Sequence, residues 1–259
     1  MNIDKIFREE DLFPREFANF EAREYGILFY DESNKDSYDS NHAVIFKEKI
    51  EDLDAVLEDV AAFYEKKGLK AILYQATAEE GYFASNTDVF AKHGFKTWGE
   101  ELHIMVPLEE NKLVTNPEIL VKRVTEWDEA FATEIFEKAG EPWEIGVAKR
   151  MIRNSNTVFL VAYYQGCPIG MTYVHVRSGV CRYDYILVSK EHRRIGVGRA
   201  LMNALVEYCK EQRIENCYLW PAGEEAQRIY LEAGFQTVEV KKAGRAAMEE
   251  EMGAVSYIR

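Results

Sequence analysis

The sequence predicts a mixed α/β fold, in which a partly antiparallel sheet is flanked by helices, arranged as two tandem domains. Two observations predict this fold class. Segments with strand periodicity and helix periodicity alternate through the second half of the chain. A polar stretch between Pro107 and Pro117 separates that half from the first. The mixture of both element types excludes a helical bundle and a β-sandwich.

The elements of the second half follow the order β-α-α-β-β-β-α-β-α-β-β. Runs rich in β-branched and aromatic residues predict strands, and the turn Gln165-Gly-Cys-Pro168 predicts a hairpin between two of them. Segments whose apolar residues recur with the helical period predict helices. The predicted strands are 119–124, 158–164, 169–176, 182–188, 217–220, 236–241 and 254–258, and the predicted helices are 126–139, 144–154, 197–212 and 224–233.

The charge of the chain divides at the polar stretch. The predicted domains are 1–110 and 118–259, joined by a linker at 111–117. Residues 1–110 hold 12 Lys and Arg against 25 Asp and Glu, a net charge of −13, whereas residues 111–259 hold 20 of each. A polyanionic half repels nucleic acid and anionic membranes and attracts cationic small molecules. We therefore expect neither a nucleic-acid nor a membrane partner.

Composition and cysteine usage indicate the class of protein and its compartment. The 259 residues are 47% hydrophobic and 30% charged, as in ordinary globular proteins. No apolar run reaches the roughly 20 residues of a membrane-spanning helix, and the acidic start of the chain is unlike a secretory signal. We therefore expect a cytoplasmic protein. Cys167, Cys181, Cys209 and Cys217 form no C-x-x-C pair, which predicts reduced core thiols and no metal site.

A loop rich in glycine and arginine precedes the helix predicted at 197–212. Gly196 and Gly198 stand at the mouth of this helix, with Arg193, Arg194 and Arg199 around them. Glycine lets backbone N–H groups converge, and a helix N-terminus carries about half a positive charge. The loop is therefore a candidate anion cradle. It matches neither the dinucleotide fingerprint nor the Walker loop, because the third glycine and the Gly-Lys-Ser/Thr ending are missing.

A second motif follows in the helix predicted at 224–233 and the start of the next strand. It reads Ala226-x-x-x-Tyr230-x-x-x-Gly234-Phe235. With the loop and the strand ending Ile186-Leu-Val188, it resembles the signature of the GCN5-related N-acetyltransferase (GNAT) family in order and spacing. The resemblance covers about residues 118–259. It implies the acyl-CoA N-acyltransferase fold and acetyl-CoA as cofactor.

The same resemblance implies which residues contact the cofactor. The end of the strand is expected to pair with the pantetheine arm, and the N–H groups of the loop are expected to hold the pyrophosphate. The implied cofactor-binding residues are Ile186, Leu187, Val188, Arg193, Arg194, Ile195, Gly196, Val197, Gly198, Arg199, Ala200 and Gln227. Two positions depart from the family pattern. Arg194 stands where glycine is frequent and adds a donor, and Gly223 stands where asparagine commonly reaches the cofactor.

Two residues are the candidates for proton transfer in acetylation. Tyr230 is the candidate acid for the departing thiolate, because a phenol is protonated at neutral pH. The alternative is a core aromatic on an amphipathic helix. Asp184 is the candidate base, at a position where relatives carry an acidic residue, and the alternative is an ordinary strand-edge aspartate. Further side chains that could line the acceptor pocket are Glu144, His175, Tyr183 and Tyr185.

The first half resembles a degenerate copy of the same domain. Residues 62–75 run like residues 207–220, and Phe90 to Phe95 lies over Tyr230 to Phe235 once a loop insertion is allowed. Phe90 has no proton to give, and the acidic segment 47–53 has no glycine. We therefore predict that this domain is non-catalytic and does not bind CoA. Chance similarity of two helix–strand pairs is the alternative.

Together these observations predict an N-acetyltransferase that transfers acetyl from acetyl-CoA to the primary amine of a small molecule by direct attack. Two alternatives stay open, a non-catalytic acyl-CoA-binding regulator and an acetyltransferase that acts on a protein amine. The acidic first half favours a cationic acceptor. A homodimer is possible, and no metal is required.

Overall fold

The computed structural model describes residues 2–221 and 223–248. These residues form two compact units. The N-terminal unit comprises Ile3–Leu102 with residues 240–248, and the C-terminal unit comprises His103–Glu239 with Asn2. Across the described residues, no helix is long and apolar enough to cross a membrane.

The N-terminal unit is built on a hairpin, a third antiparallel strand, and a fourth strand parallel to the third. Its elements are α1 (Ile3–Leu12), β1 (Asn19–Arg23), β2 (Gly26–Tyr30), β3 (Ala43–Ile45), α2 (Leu53–Lys67), β4 (Ile72–Gln75), α3 (Tyr82–Ser85), α4 (Thr87–Lys92) and β5 (Phe95–Pro107). Strands β1 to β3 are antiparallel, and β3 and β4 are parallel. The apolar side chains of α2 and α4 pack on this sheet in one buried cluster.

The C-terminal unit has the same succession of three antiparallel strands, helix, strand, helix and strand, preceded by one further strand and two short helices. It contains β6 (Ile119–Val124), α5 (Glu129–Phe131) continued by a π-helical segment (Ala132–Glu137), α6 (Ile145–Met151), β7 (Thr157–Tyr164), β8 (Cys167–Arg177), β9 (Val180–Val188), α7 (Val197–Glu211), β10 (Asn216–Tyr218), α8 (Glu224–Glu232) and β11 (Phe235–Met248). The sheet order is β10-β9-β8-β7-β6, and only β9 and β10 are parallel. One buried cluster joins α7 and α8 to this sheet. The predicted mixed α/β class and tandem organisation are confirmed.

The predicted elements agree with the structure except at the ends of the second half. Strands β6 and β9 and helix α7 lie where the sequence predicts them. The predicted helix at 126–139 is a short α-helix that continues as a π-helix. The predicted strand at 236–241 extends to Met248. The predicted strand at 254–258 lies outside the described residues.

The last part of β11 belongs to the N-terminal unit, although its position in the sequence predicts that it belongs to the second domain. The predicted boundaries place residues 240–248 in the domain 118–259. In the structure, Arg245 and Ala247 of β11 pair antiparallel with Tyr74 and Ile72 of β4. These pairs place this part of β11 in the N-terminal unit. The predicted boundary differs from the observed one because β11 pairs with a strand that is distant in the sequence, and local sequence patterns do not report such pairing.

The segment predicted as a linker is bound to the C-terminal unit. The amides of Leu108 and Glu109 donate to the Gly234 carbonyl at 3.0 and 2.9 Å. Asn111 donates through its side-chain amide to Asn203 of α7 at 2.8 Å, and Leu113 packs on the apolar cluster. Residues 108–117 are therefore an ordered strap of this unit rather than a free linker.

Gly234 is required where it stands. Its φ of +92° is strained for any other residue, and a Cβ there would lie 2.3 Å from the Glu109 carbonyl oxygen. We predict that Gly234→Ala lowers the free energy of unfolding by about 1–3 kcal/mol. The measurement is the denaturant midpoint at unchanged slope. Gly99→Ala is the matched control, since a Cβ at Gly99 meets no atom within 4 Å. Equal losses in both variants would contradict this role of Gly234.

Candidate active site

A β-bulge shapes strand β9 in its middle. Thr172 of β8 pairs with Ile186 of β9, but Val174 pairs with Tyr183, so Asp184 and Tyr185 together oppose a single β8 residue. A bulge of this kind bends the strand and re-aims its side chains. The strand therefore changes direction at the position of the predicted base.

Strands β9 and β10 part just before this bulge. Their parallel pairing ends with Tyr218 opposite Arg182. The next residue of the chain, Leu219, instead exchanges two backbone hydrogen bonds with Met105, at 2.8 and 3.0 Å. The second half of β9 is consequently left with one side that no strand covers among the described residues.

The polar backbone groups of Ile186 and Val188 face this open side. The Ser189 amide donates to the Ile169 carbonyl at 3.0 Å, so Ser189 is bonded to β8. Bonding alternates along an antiparallel pair, which turns Leu187 towards β8 and its two neighbours away from it. The predicted contacts of Ile186 and Val188 are thus possible in this geometry. The backbone of Leu187, predicted with them, is already used by the sheet.

The loop between β9 and α7 presents a group of open amides. Arg194 and Gly196 have φ values of +67° and +99°, and Gly196 caps α7 without any side-chain hydrogen bond. Within the described part of the chain, no side chain caps α7, and the amides of residues 194–199 make no backbone hydrogen bond outside the helix. Converging free N–H groups at a helix N-terminus form an anion site. The predicted donor Ala200 does not belong to it, because its amide donates to the Gly196 carbonyl at 3.0 Å.

Asn116 of the strap holds this loop in position. Its side-chain amide donates to the Ile195 carbonyl at 3.0 Å, and its Oδ1 accepts from the Glu118 amide at 3.0 Å. The loop carbonyl therefore points away from the group of open amides. Sequence reasoning missed Asn116 because it lies far from the loop along the chain, in a segment that reads as a linker.

The three arginines of the loop have different surroundings. Arg193 and Arg194 are exposed, and the Arg193 Nε donates to the Val188 carbonyl at 3.4 Å. Arg199 is held by Glu232 of α8 in a bidentate salt bridge, with both bonds at 2.8 Å. The expectation that the Arg199 side chain serves an anion is therefore corrected. In this structure the Arg199 side chain links α7 to α8 through its salt bridge with Glu232.

Tyr230 lies on α8 and is 8% exposed. Burial, aided by the negative charge of Asp184, raises the pKa of the Tyr230 phenol to about 12. The phenol is therefore protonated at every physiological pH, as a proton donor must be. Gln227, a predicted cofactor contact one turn earlier on α8, is half-buried. Its backbone amide donates to the Gly223 carbonyl at 3.0 Å.

Asp184 is surrounded by two residues that the sequence did not indicate. It forms a salt bridge with Arg182, and it accepts a hydrogen bond from the Tyr173 phenol. Burial and the negative charges of Asp184 and Glu144 raise the pKa of Tyr173 well above its usual range. Arg182 also lies over the ring of Trp220, with its guanidinium carbon 5.7 Å from the ring centre. Tyr173 and Asp184 meet across β8 and β9, because the register that pairs Val174 with Tyr183 places them opposite each other beside the bulge.

The other candidate acceptor-pocket residues divide into buried and half-buried groups. Glu144 and His175 are buried, and Tyr185 is half-buried in the bulge. Tyr183 is buried against Phe235, with ring centres 5.2 Å apart. Tyr183 is thus a core residue rather than a pocket residue.

The N-terminal unit lacks this open edge. Strands β3 and β4 stay paired through Ile45 and Gln75, and the Ala76 amide donates to the Ile45 carbonyl at 3.3 Å. The Lys47 amide, which follows β3, is bound by both carboxylate oxygens of Glu79 at 3.1 and 3.0 Å. The side chain of Asp52 caps α2 through the Ala55 amide at 3.2 Å. Carboxylates of the chain itself therefore bind two of the amides in this segment, one after β3 and one at the start of α2.

Comparison with known proteins identifies the C-terminal unit. Residues 121–235 match the model of the acetyltransferase (GNAT) family. The chain carries a GNAT domain. The matched residues include the bulged strand, the amide loop and Tyr230, so the predicted family resemblance is confirmed on the segment that forms the candidate site.

Relatives and solved structures support the same conclusion about the GNAT domain and the fold. A Bacillus subtilis (strain 168) protein named as an acetyltransferase is 27% identical over 78 residues, 30% of this chain and 52% of that relative. The chain thus spans about half the length of that curated relative.

Two solved structures resemble nearly the whole chain. A GCN5-related N-acetyltransferase from Kribbella flavida shares a TM-score of 0.66 at 14% identity, over 95% of both chains. A tandem GNAT protein from the clavulanic acid biosynthesis pathway shares 0.55 at 12% identity, over 80% of this chain and 75% of that one. These similarities show the fold, with two GNAT-like copies.

The Arg199–Glu232 salt bridge can be separated from anion binding by substitution. We predict that Arg199→Ala lowers the free energy of unfolding by about 0.5–1 kcal/mol, since the pair is bidentate but one-third exposed. Glu232→Gln should show a similar loss, and the double variant no further loss. Arg194→Ala, in the exposed part of the loop, should leave unfolding unchanged. Additive losses at positions 199 and 232 would show that the two side chains are not coupled.

Proposed function

We propose that this protein is an acetyl-CoA-dependent N-acetyltransferase that acetylates the amine of a small molecule. The observation that carries the proposal is the continuity of the site in the GNAT domain. The open edge of β9 leads directly into the open amides of residues 194–199. Tyr230 and Asp184, whose charge acts on the Tyr230 phenol, supply the proton chemistry beside that edge.

The open groups fit acetyl-CoA. The extended pantetheine arm carries amides, and an extended chain can add to an uncovered strand edge through the backbone groups of Ile186 and Val188. The pyrophosphate carries negative charge, which the amides of residues 194–199 and the exposed side chains of Arg193 and Arg194 can bind. Acetyl-CoA supplies the acetyl group as a thioester, and CoA leaves as a thiol.

Different residues of the chain are assigned to the proton transfers of the reaction. The amine nitrogen forms a bond to the acetyl carbon, the carbon–sulfur bond breaks, and the sulfur takes a proton. Tyr230 donates this proton, since its raised pKa keeps the phenol protonated. The outward amide of Val188 is placed to stabilise negative charge on the acetyl oxygen.

Asp184 is assigned as the base: the proton that the attacking nitrogen loses goes to its carboxylate, directly or through water. An ion pair with a guanidinium favours the charged form of a carboxylate, so the Arg182 contact keeps Asp184 negative. Tyr173 fixes its orientation by hydrogen bonding. This arrangement differs from a solvated base, and it makes Tyr173 and Arg182 positioning residues.

A cationic small molecule is the acceptor class that the charges favour. Asp184 and Glu144 both act on the Tyr173 phenol, and Glu144 is 5% exposed. Two carboxylates, those of Asp184 and Glu144, therefore lie near enough to the Tyr173 phenol to raise its pKa. The acidic composition of residues 1–110 adds attraction for cations in solution.

We predict that Gly196→Ala weakens binding of CoA by about tenfold or more, since a side chain at this φ strains the loop that presents the amides. Calorimetry with CoA measures the effect. Gly81→Ala is the matched control, because Gly81 also has a positive φ, of +75°, with no atom within 4 Å of its Cβ position. Equal affinity of the Gly196 variant and the wild type would exclude the loop as the pyrophosphate site.

We predict that Tyr230→Phe lowers kcat by about 10²-fold or more, the usual contribution of a general acid, without changing the affinity for CoA. In the wild type, Tyr230 should cause no loss of rate at alkaline pH below about pH 11, since its pKa is about 12. The measurement is thiol release from acetyl-CoA across pH. Full activity of the variant would remove Tyr230 from the mechanism.

The proposed function is tested by the same thiol-release assay against a panel of amines, amino acids and peptides. Turnover on a small cationic amine supports the proposal. Turnover on peptides alone would make the protein an acetyltransferase of protein amines. Tight CoA binding with no turnover on any acceptor would favour an acyl-CoA-binding regulator.

A further inference from the structure

Three cysteines meet beneath the point where β9 and β10 part. Cys181 of β9 and Cys217 of β10 are partners in the parallel register, and Cys209 comes from the last turns of α7. Their sulfur atoms all lie within 4.8 Å of one another, with 3.6 Å between those of Cys181 and Cys209. Three separate elements thus converge on one group of thiols.

The separations suit a single central atom bound to three sulfurs. Sulfur ligands at about 2.3 Å from one centre lie about 3.5–4 Å apart, depending on the bond angles. The three sulfurs need only small movements to reach this arrangement. Within the described residues, no fourth His, Cys, Asp or Glu joins the group. A three-coordinate centre therefore fits better than a tetrahedral ion such as Zn²⁺.

The surroundings decide the charge of the bound species. Cys181, Cys209 and Cys217 are 0%, 4% and 2% exposed and belong to the apolar cluster of the C-terminal unit. Charge that is not compensated is strongly disfavoured there. Three thiolates around a monovalent ion leave two negative charges, and around a divalent ion they leave one. Around a trivalent centre they leave none.

We propose that Cys181, Cys209 and Cys217 form a binding site for a trivalent thiophilic metalloid, with arsenous acid as its simplest form. In this step As(OH)₃ and three thiols give As(SR)₃ and three molecules of water. Three As–O bonds break, three As–S bonds form, and each thiol proton leaves with a hydroxide. Arsenic stays trivalent, and both the empty and the occupied sites are neutral. Soft sulfur ligands match a soft centre.

Occupation of the site joins β9, β10 and α7 covalently through one atom. Cys181 directly precedes Arg182, the partner of Asp184, so the site borders the proposed active site without sharing a residue with it. The three thiols are buried, so entry requires local opening, and the short strand β10 is the natural place for it. We therefore expect slow uptake followed by tight binding.

The test is uptake of sodium arsenite by the full chain, followed by native mass spectrometry without added dithiol. The expected result is one arsenic per chain with loss of three hydrogens, and a raised melting temperature. Cys181→Ala, Cys209→Ala and Cys217→Ala should each weaken binding by at least about tenfold. Cys167→Ala is the matched control. Cys167 is half-buried on β8 and donates to Glu134 at 3.4 Å, so this variant should bind as the wild type does.

X-ray absorption of the wild-type complex makes the test independent of variant folding. Three As–S contacts at one distance, with no As–O contact, support the site. Absence of uptake, an arsenic with two sulfurs and one oxygen, or loss of uptake in Cys167→Ala would each overturn it. Preferential binding of Cd²⁺ over arsenite at the three cysteines would overturn the class of ligand.

Discussion

Two backbone hydrogen bonds between Met105 and Leu219 take β10 away from β9 directly after Tyr218. Without them β10 could continue along β9 and cover the polar groups of Ile186 and Val188. The candidate site depends on this divergence, because it leaves a strand edge open inside an otherwise paired sheet. The bulge at Asp184 and Tyr185 then interrupts the regular alternation of side chains along β9. Strand pairing thus leaves the edge of β9 open, and the side chains of the candidate site lie beside this edge.

The N-terminal unit shows what the same order of elements becomes when this divergence is missing. Its corresponding strands remain paired, and Glu79 and Asp52 bind the amides around the start of α2. In the C-terminal unit, within the described residues, no side chain caps the start of α7. A carboxylate of the same chain at a helix N-terminus competes with an external anion for the helix donors. The contrast explains why we assign function to one copy.

Local sequence patterns predicted most of the fold and the residues of the loop and α8. Glycine spacing, the strand before it and the Tyr230 motif act over short distances, and the structure has the strand, loop and helix where these patterns place them. The patterns did not predict the exchange of β11, since pairing of Arg245 with Tyr74 joins residues far apart in the chain. They also did not predict Tyr173, because its contact with Asp184 is made across two strands and depends on their register. Arg199 was misjudged because its partner, Glu232, lies on another helix.

Hydrogen exchange of backbone amides with and without acetyl-CoA tests the central claim most directly. We expect acetyl-CoA to slow exchange at residues 186–188 and 194–199 and to leave exchange at residues 43–55 of the N-terminal unit unchanged. Protection at residues 43–55, or none at the edge of β9 and its loop, would contradict the claim that diverging strands in one of the two copies create the site.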